Sequence, residues 1–397
     1  MISFHKQVAP LLFGPGAVAQ LYEQLQMLGV KKALICTDPG VIASGAVEKA
    51  LASLKENNFD YVIFDGCLPD APDTSFFGAA DMARETGVDA IVAIGGGSDM
   101  DTAKAASTMI VNRPKLEDLL PPGEIDFSKP PEGPPPLKTP DVRLILIPTT
   151  SGTGSEATGV GVVSNSADHV KFGVMITGAD LSIVDPELAA GMPPGLTAMT
   201  GMDVVAHACE AFTTISRKNP ISDQRAMCAM RLANKWLPIA VKEGSNIEAR
   251  TNMSLACTLA GMAFNDSMNN YGHGIAHAFG TKSHMAHGLA CALAEPAALE
   301  IFAPEFPDLI RTIGEQFDVV FPENATPEQI GKATGDALRA LMKEIGIPSF
   351  EKLGMSREDV LGHRDAVMGE FQTILSPVRI TPELAEKTLA SMYDDYK

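Results

Sequence analysis

No stretch of the 397-residue chain approaches the roughly 18–20 uninterrupted apolar residues that a helical membrane span requires. The N-terminal run MISFHKQVAP lacks the long apolar core of an export signal. Paired-thiol spacing is missing too: none of the six cysteines (Cys36, Cys67, Cys209, Cys228, Cys257, Cys291) forms C-x-x-C. Most sit among apolar residues and read as small core side chains, so the expected compartment is the reducing cytoplasm. Positive charge is in deficit, with 31 Lys and Arg against 49 Asp and Glu and a formal net charge of −18. Such a surface repels phosphate, which disfavours nucleic acid and anionic membranes as partners. No internal repeat is evident, and the composition is that of a soluble globular protein.

What is present divides in two. A chain of this length exceeds one ordinary core, so two domains are expected, 1–190 and 191–397. In the first, apolar runs alternate with amphipathic helical segments: ALICTD (33–38), YVIFDG (61–66), AIVAIGGGS (90–98), RLILIPTTS (143–151) and LSIVDPEL (181–188). That alternation predicts an α/β, Rossmann-like parallel sheet covered on both faces. Between them, residues 119–140 hold eight prolines, which excludes regular structure and predicts a surface excursion. Beyond Pro194 the spacing is helical almost throughout, including one helix over 356–370, so the second domain is expected to be all-α.

Five of the eight histidines lie between 201 and 287: His207, His273, His277, His284 and His287. Asp203 precedes His207 by four residues, and His273 precedes His277 by four. On a helix such pairs share a face. Their neighbours are Ala, Gly, Val and Met, which points to burial. Converging imidazoles and a carboxylate suit a divalent metal (Fe, Zn, Mn, Co or Ni) without selecting one. The alternative is a set of buried, hydrogen-bonded core histidines.

Three polar loops follow strands of the first domain, where open α/β sheets bind ligands. Gly95-Gly96-Gly97-Ser98 lies at a strand-to-helix turn whose N–H groups suit a pyrophosphate, although such triplets also occur in plain loops. Asp38 ends another strand. Its carboxylate could accept from both adenosine-ribose hydroxyls, or it could cap the next helix. PTTSGTGSEAT (148–158) could wrap phosphate or nicotinamide ribose, or form an ordinary turn.

FGPGAV, ALICTD, GGGSDMDTAK, PTTSGTGSE, IVDPEL, MPPGLTAMTGMDVVAHACEAF and GHGIAHAFGTKSHMAHG together resemble the iron-dependent (group III) alcohol dehydrogenases, in order and spacing, over nearly the whole chain. The resemblance implies an α/β dinucleotide domain followed by a helical metal domain. It implies Asp203, His207, His273 and His287 as metal ligands, Fe2+ foremost with Zn2+ or Mn2+ possible. His277 matches the family's non-ligand histidine beside the nicotinamide and is the expected catalytic residue. Gly96, Gly97, Ser98 and Asp101 match the pyrophosphate motif, which Lys104 continues. Thr149, Thr150 and Thr153 match the loop over phosphates and ribose, and Lys171 a lysine near the cofactor. Asp38 matches the ribose carboxylate and implies NAD over NADP. The implied reaction is metal-assisted hydride transfer between NAD(H) and an alcohol or small aldehyde. Relatives commonly form homo-oligomers.

The chain departs from the pattern in two places. Asp99 stands where many relatives have proline. FGTKSHMAHG replaces an aromatic and apolar segment, putting Lys282 and His284 beside the last ligand; with Phe264 these are the candidate substrate residues. A cationic rim would favour an aldehyde with an anionic tail (sulfoacetaldehyde, succinate semialdehyde or phosphonoacetaldehyde type). The alternatives are a short-chain alcohol or diol dehydrogenase and a hydroxyacid-oxoacid transhydrogenase. A zinc polyol dehydrogenase fits less well, because those relatives keep fewer histidines. A dehydroquinate-synthase-like lyase would need a cationic pocket not found here.

Overall fold

The computed structural model describes residues 5, 7–112, 116, 119, 138, 141–167, 170–176 and 178–397. The proline-rich stretch 119–140, expected as a surface excursion, lies outside the described residues except at 119 and 138. The chain forms two compact units. One comprises the described residues of 7–149 and 155–189; the other comprises 150–154 and 190–397 together with His5.

In the first unit the strands are β1 (Leu11–Phe13), β2 (Lys32–Cys36), β3 (Asp60–Phe64), β4 (Ala90–Gly95), β5 (Arg143–Pro148), β6 (Val160–Ser164), β7 (Lys171–Met175) and β8 (Leu181–Val184). Six of them make a sheet in the order β1-β8-β5-β4-β2-β3, with every pairing parallel. The helices are α1 (Leu21–Met27), α2 (Pro39–Ala43), α3 (Ala46–Glu56), α4 (Asp73–Thr86) and α5 (Gly97–Asn112). Side chains alternate along each strand. Ala33 and Ile35 of β2 join the core with Leu21 and Leu25 of α1 and Leu51 and Leu54 of α3. Leu34 and Cys36 join the opposite core with Phe76 of α4 and Met100 of α5. Burial on both faces explains why these strands read as unbroken apolar runs. The antiparallel pair β6–β7 is an addition that the sequence reading did not contain. From β2 the chain moves to β3 on one side, and from β4 to β5 on the other. The β2 and β4 carboxyl ends therefore flank the point where the winding reverses, and Asp38 and Gly96 follow those ends.

The second unit holds α6 (Pro194–Thr213), α7 (Pro220–Lys242), α8 (Ile247–Ser267), α9 (Tyr271–Ser283), α10 (His287–Phe302), α11 (Pro307–Gln316), α12 (Pro327–Glu344), α13 (Arg357–Leu361), α14 (Arg364–Gly369), α15 (Phe371–Ile374) and α16 (Pro382–Asp394). Pro194 starts α6, where its missing N–H costs nothing. From Gly201 to Thr213 every residue of α6 is buried, and α7, α8, α9 and α10 pack around it. A helix apolar on all sides must lie at the centre of its unit. Its ionisable exceptions, Asp203, His207 and Glu210, are thereby carried into the core. Asn270 starts α9 by accepting from the Tyr271 N–H at 2.7 Å, and α9 ends at His284 in the left-handed region. The single helix expected over 356–370 is instead α13 and α14, separated at Gly362 and His363.

Segment 150–154 lies against α8. Ser151 Oγ is 3.1 Å from Ser254 Oγ, and the Gly154 N–H donates to Cys257 Sγ at 3.2 Å. Gly154 has φ +61°, and a Cβ there would stand 2.7 Å from Gly261 Cα. Gly154→Ala is expected to destabilise the protein by about 2–4 kcal/mol, from left-handed strain plus backbone overlap. Urea unfolding measures it, and an unchanged midpoint would contradict this packing.

Candidate metal and nucleotide sites

Three helices of the second unit bring donors together. Asp203 (α6), His273 (α9), and His287 and Cys291 (α10) each offer an atom within 4.8 Å of all the others. Asp203 Oδ1 lies 3.7 Å from His273 Nε2 and 3.6 Å from His287 Nε2. Cys291 Sγ lies 3.8 Å from His273 Nε2 and 3.7 Å from His287 Nε2. His207 approaches from the side: its Nδ1 is 3.7 Å from the same Asp203 oxygen, and its ring stacks on His273 at 4.6 Å and on Phe264 at 4.4 Å. So Asp203, His273 and His287 converge with a thiol, while His207 stands next to that group and outside it.

The electrostatics fit a cation. Asp203 is 2% exposed, and its Oδ1 has no partner within hydrogen-bond distance among the described residues. Burial alone would raise its pKa, but His207, His287 and His273 together hold it well below the usual carboxylate range. Burial pushes His207 down to about 4 against the opposing pull of Asp203, so its imidazole is neutral near pH 7. Behind His273, Glu210 Oε1 accepts from Nδ1 at 2.7 Å and from the backbone N–H at 2.8 Å. With Nδ1 engaged by Glu210, Nε2 is the nitrogen turned to the cluster. Burial alone would lower the His273 pKa, but Cys291, Glu210 and Asp203 together raise it well above the ordinary imidazole value. This carboxylate–imidazole arrangement is how metal-binding histidines are oriented and made more basic. An orphaned buried carboxylate oxygen, converging ring nitrogens and a backing carboxylate are together the donor set that a divalent metal fits.

His277 lies one turn beyond His273, its ring centre 5.6 Å from that of His287 and its Nδ1 3.8 Å from Glu370 Oε2. Lys282 donates from Nζ to the Gly362 carbonyl at 2.5 Å. Lys282 and His284 line a cavity of about 650 Å3 that also carries Glu358, Asp359 and His363. Thr150 and Thr153 belong to the segment held against α8, and the Gly152 backbone of that segment bonds His207.

In the first unit, the Gly96 N–H donates to Asp99 Oδ2 at 2.8 Å, and Ser98 Oγ accepts from the Asp70 N–H at 3.1 Å. Gly97 is the first residue of α5, so the glycine turn leads directly into a helix N-terminus. Lys171 pairs with Asp70 at 2.7 Å. The Thr149 N–H donates to the Gly95 carbonyl at 2.8 Å. Asp38 Oδ1 accepts from the Gly40 and Val41 N–H groups at 2.6 and 3.1 Å, so it caps α2. Asp101 accepts from Ser155 at 2.6 Å and lies 3.4 Å from Lys104. Lys104 is fully buried and donates to Ser155, Thr158 and the Val160 carbonyl at 2.6, 2.9 and 2.8 Å, which ties α5 to β6. Asp99 is pushed up to about 7, by burial first and then by the neighbouring Asp38 charge.

Sequence reasoning passed over Glu210, Glu370 and Cys291. One signal was available: Cys291 follows His287 by four residues, the spacing of the two pairs already singled out.

Residues 9–186 match the iron-containing alcohol dehydrogenase family, and residues 197–393 match the C-terminal Fe-containing alcohol dehydrogenase family. The chain is 35% identical over 357 residues to the NAD-dependent methanol dehydrogenase of Bacillus methanolicus, covering 88% of this chain and 89% of that one. It is 37% identical over 357 residues to the 1,3-propanediol dehydrogenase of Citrobacter freundii, covering 87% of each. Its structure is similar to that of sulfoacetaldehyde reductase from Bifidobacterium kashiwanohense in complex with NAD+, with a TM-score of 0.84, 26% identity and 99% of both chains covered. The chain belongs to the iron-containing alcohol dehydrogenase family. It is an oxidoreductase of that class, with the parallel α/β and helix-rich architecture of its relatives. No helix among the described residues is long and apolar enough to cross a membrane.

The Asp99 carboxyl has a raised pKa in the folded state, so folding takes up a proton between about pH 4 and the folded value of about 7. Its stabilising effect is present at low pH and is lost as pH rises through 7. Asp99→Asn without nucleotide is therefore expected to be more stable than the parent at pH 8, by on the order of 3 kcal/mol. The difference should shrink toward zero at pH 4. Thermal melts across that range measure it, and a pH-independent difference would remove the argument.

Proposed function

We propose that this chain is an NAD-linked, divalent-metal alcohol dehydrogenase that interconverts a small aldehyde and its alcohol, with iron the expected ion. The observation that carries the reading is the meeting of Asp203 Oδ1, His273 Nε2 and His287 Nε2 at 3.6–3.7 Å around an orphaned carboxylate oxygen. Asp203, His273 and His287 hold the ion, with His207, the fourth donor implied by the family, against the same oxygen. When bound, the ion supplies Lewis acidity and the dinucleotide supplies hydride-transfer chemistry. Glu210 fixes the His273 ring and keeps its proton on Nδ1. Glu370 favours a proton on His277 Nδ1, leaving Nε2 to exchange the substrate hydroxyl proton. In the other unit, Gly96, Gly97 and Ser98 at the start of α5 take the pyrophosphate. The Asp38 and Asp99 carboxylates favour the ribose hydroxyls of NAD and repel a 2′-phosphate. Thr149, Thr150, Thr153, Asp101 and Lys171 keep the positions that the family motif assigns near the cofactor.

For the substrate, the neutral short-chain reading is better supported than the anionic-tail one. The Lys282 ammonium is held by the Gly362 carbonyl, and two carboxylates, Glu358 and Asp359, share its cavity. Relatives named for methanol and 1,3-propanediol agree with that choice.

Loss of His273 as a donor should be visible in metal content. His273→Ala, purified anaerobically, is expected to bind less than a tenth of the ion bound by the parent. Glu210→Gln, which puts an amide where three N–H groups need an acceptor, should weaken binding about 10–100-fold. Unchanged metal content in His273→Ala would overturn the centre. With metal-loaded parent enzyme and NADH, kcat/KM for propanal should exceed that for sulfoacetaldehyde or succinate semialdehyde by about tenfold or more, equivalent to about 1.4 kcal/mol. The opposite order, abolished by Lys282→Ala, would restore the anionic-tail reading. Asp38→Gly should lower the NAD-to-NADP preference by at least about tenfold; an unchanged ratio would leave Asp38 as a helix cap only.

A further inference from the structure

The donor cluster contains one member that the Asp-and-three-His set does not include. Cys291 sits one turn into α10, four residues after His287, and is fully buried. Its sulfur faces two ring nitrogens at once, His273 Nε2 at 3.8 Å and His287 Nε2 at 3.7 Å. A thiol has one proton and can satisfy only one of them. His273 Nδ1 is engaged by Glu210 Oε1 at 2.7 Å, so Nε2 is the nitrogen turned to the cluster. The fourth corner is Asp203 Oδ1, buried and without a hydrogen-bond partner among the described residues. One thiol, two imidazoles and a buried carboxylate oxygen thus offer their donor atoms within 4.8 Å of one another, the arrangement that a shared cation would complete.

The dimensions fit an ion. Around zinc, with Zn–N of about 2.0–2.1 Å and Zn–S of about 2.3 Å, the edges of a tetrahedron are about 3.3–3.6 Å long. Four of the six edges here are 3.6, 3.7, 3.7 and 3.8 Å, and all four donor atoms lie within 4.8 Å of one another. Side-chain torsions that draw the donors inward would close them onto one cation.

We infer that Cys291 is a metal ligand in this chain, so that the centre is a mixed carboxylate–imidazole–thiolate site and not a purely oxygen and nitrogen one. The inference rests on the metal-centre reading above and refines it. On binding, the thiol proton leaves to solvent, and the sulfur lone pair forms the metal–sulfur bond. A soft thiolate shifts the site toward zinc and cobalt relative to one built from carboxylate and imidazole alone.

The test is spectroscopic. The full-length chain is produced in cobalt-supplemented medium, and the cobalt content per chain is measured. The expected result is about one cobalt per chain, with a sulfur-to-cobalt charge-transfer band in the near ultraviolet. X-ray absorption should resolve one sulfur at about 2.3 Å. In Cys291→Ala the band should vanish while bound cobalt remains detectable. The parent spectrum is decisive alone should that variant fold poorly. One cobalt per chain with only oxygen and nitrogen neighbours would overturn the inference and leave the metal centre standing. A band that persists in Cys291→Ala would likewise overturn it. Failure to bind cobalt, zinc or iron would overturn the metal centre itself.

Discussion

A carboxylate at the centre of a helical core is the constraint on which this molecule turns. Removing an isolated anion from water costs several kcal/mol even after relaxation. Asp203 is 2% exposed, and three imidazole nitrogens lie 3.6–3.7 Å from its Oδ1. Those neighbours come from α6, α9 and α10, so the packing of three helices and the neutralisation of one charge are the same problem. The small residues of these helices, such as Ala206, Ala276 and Ala290, are what let the backbones approach closely enough to solve it. Glu210 extends the arrangement by a second layer, fixing the His273 tautomer from behind.

The α/β unit meets a different demand. Its sheet must be covered on both faces, and the reversal of winding between β2 and β4 leaves two strand ends side by side. Asp38 and Asp99 follow those ends, close enough for the charge of one to raise the pKa of the other. The same region needs glycine turns and a helix N-terminus to receive a diphosphate, so anion-attracting N–H groups and anion-repelling carboxylates stand a few residues apart. That contrast suits a ligand with negative phosphates and neutral ribose hydroxyls.

Much of this was legible in the sequence, because periodicity and spacing are written there. Apolar runs ending in Asp38 and Gly95 mark the central strands, and the Asp203–His207 and His273–His277 pairs mark helix faces turned inward. What stayed hidden depends on contacts distant in the chain. Strands β6 and β7 are five residues each and are interrupted by Gly161 and Gly173, so they carry little period-two signal. The helix over 356–370 breaks because His363 stacks on Phe279 at 3.9 Å and bonds Ser283 at 2.6 Å, fixing the chain against α9. Asp38 read equally well as cap or ribose ligand, and one oxygen, Oδ1, makes both capping bonds. Cys291 reads as a small core side chain because its neighbours are apolar; only the fold turns it toward two imidazoles.

Glu295 lies against Glu210, and burial first and the Glu210 charge second raise its pKa well above the ordinary carboxyl value. The native chain therefore holds the Glu295 proton more tightly than an extended chain does, so closing the helices over that glutamate couples the helical unit's assembly to proton uptake at this one carboxyl.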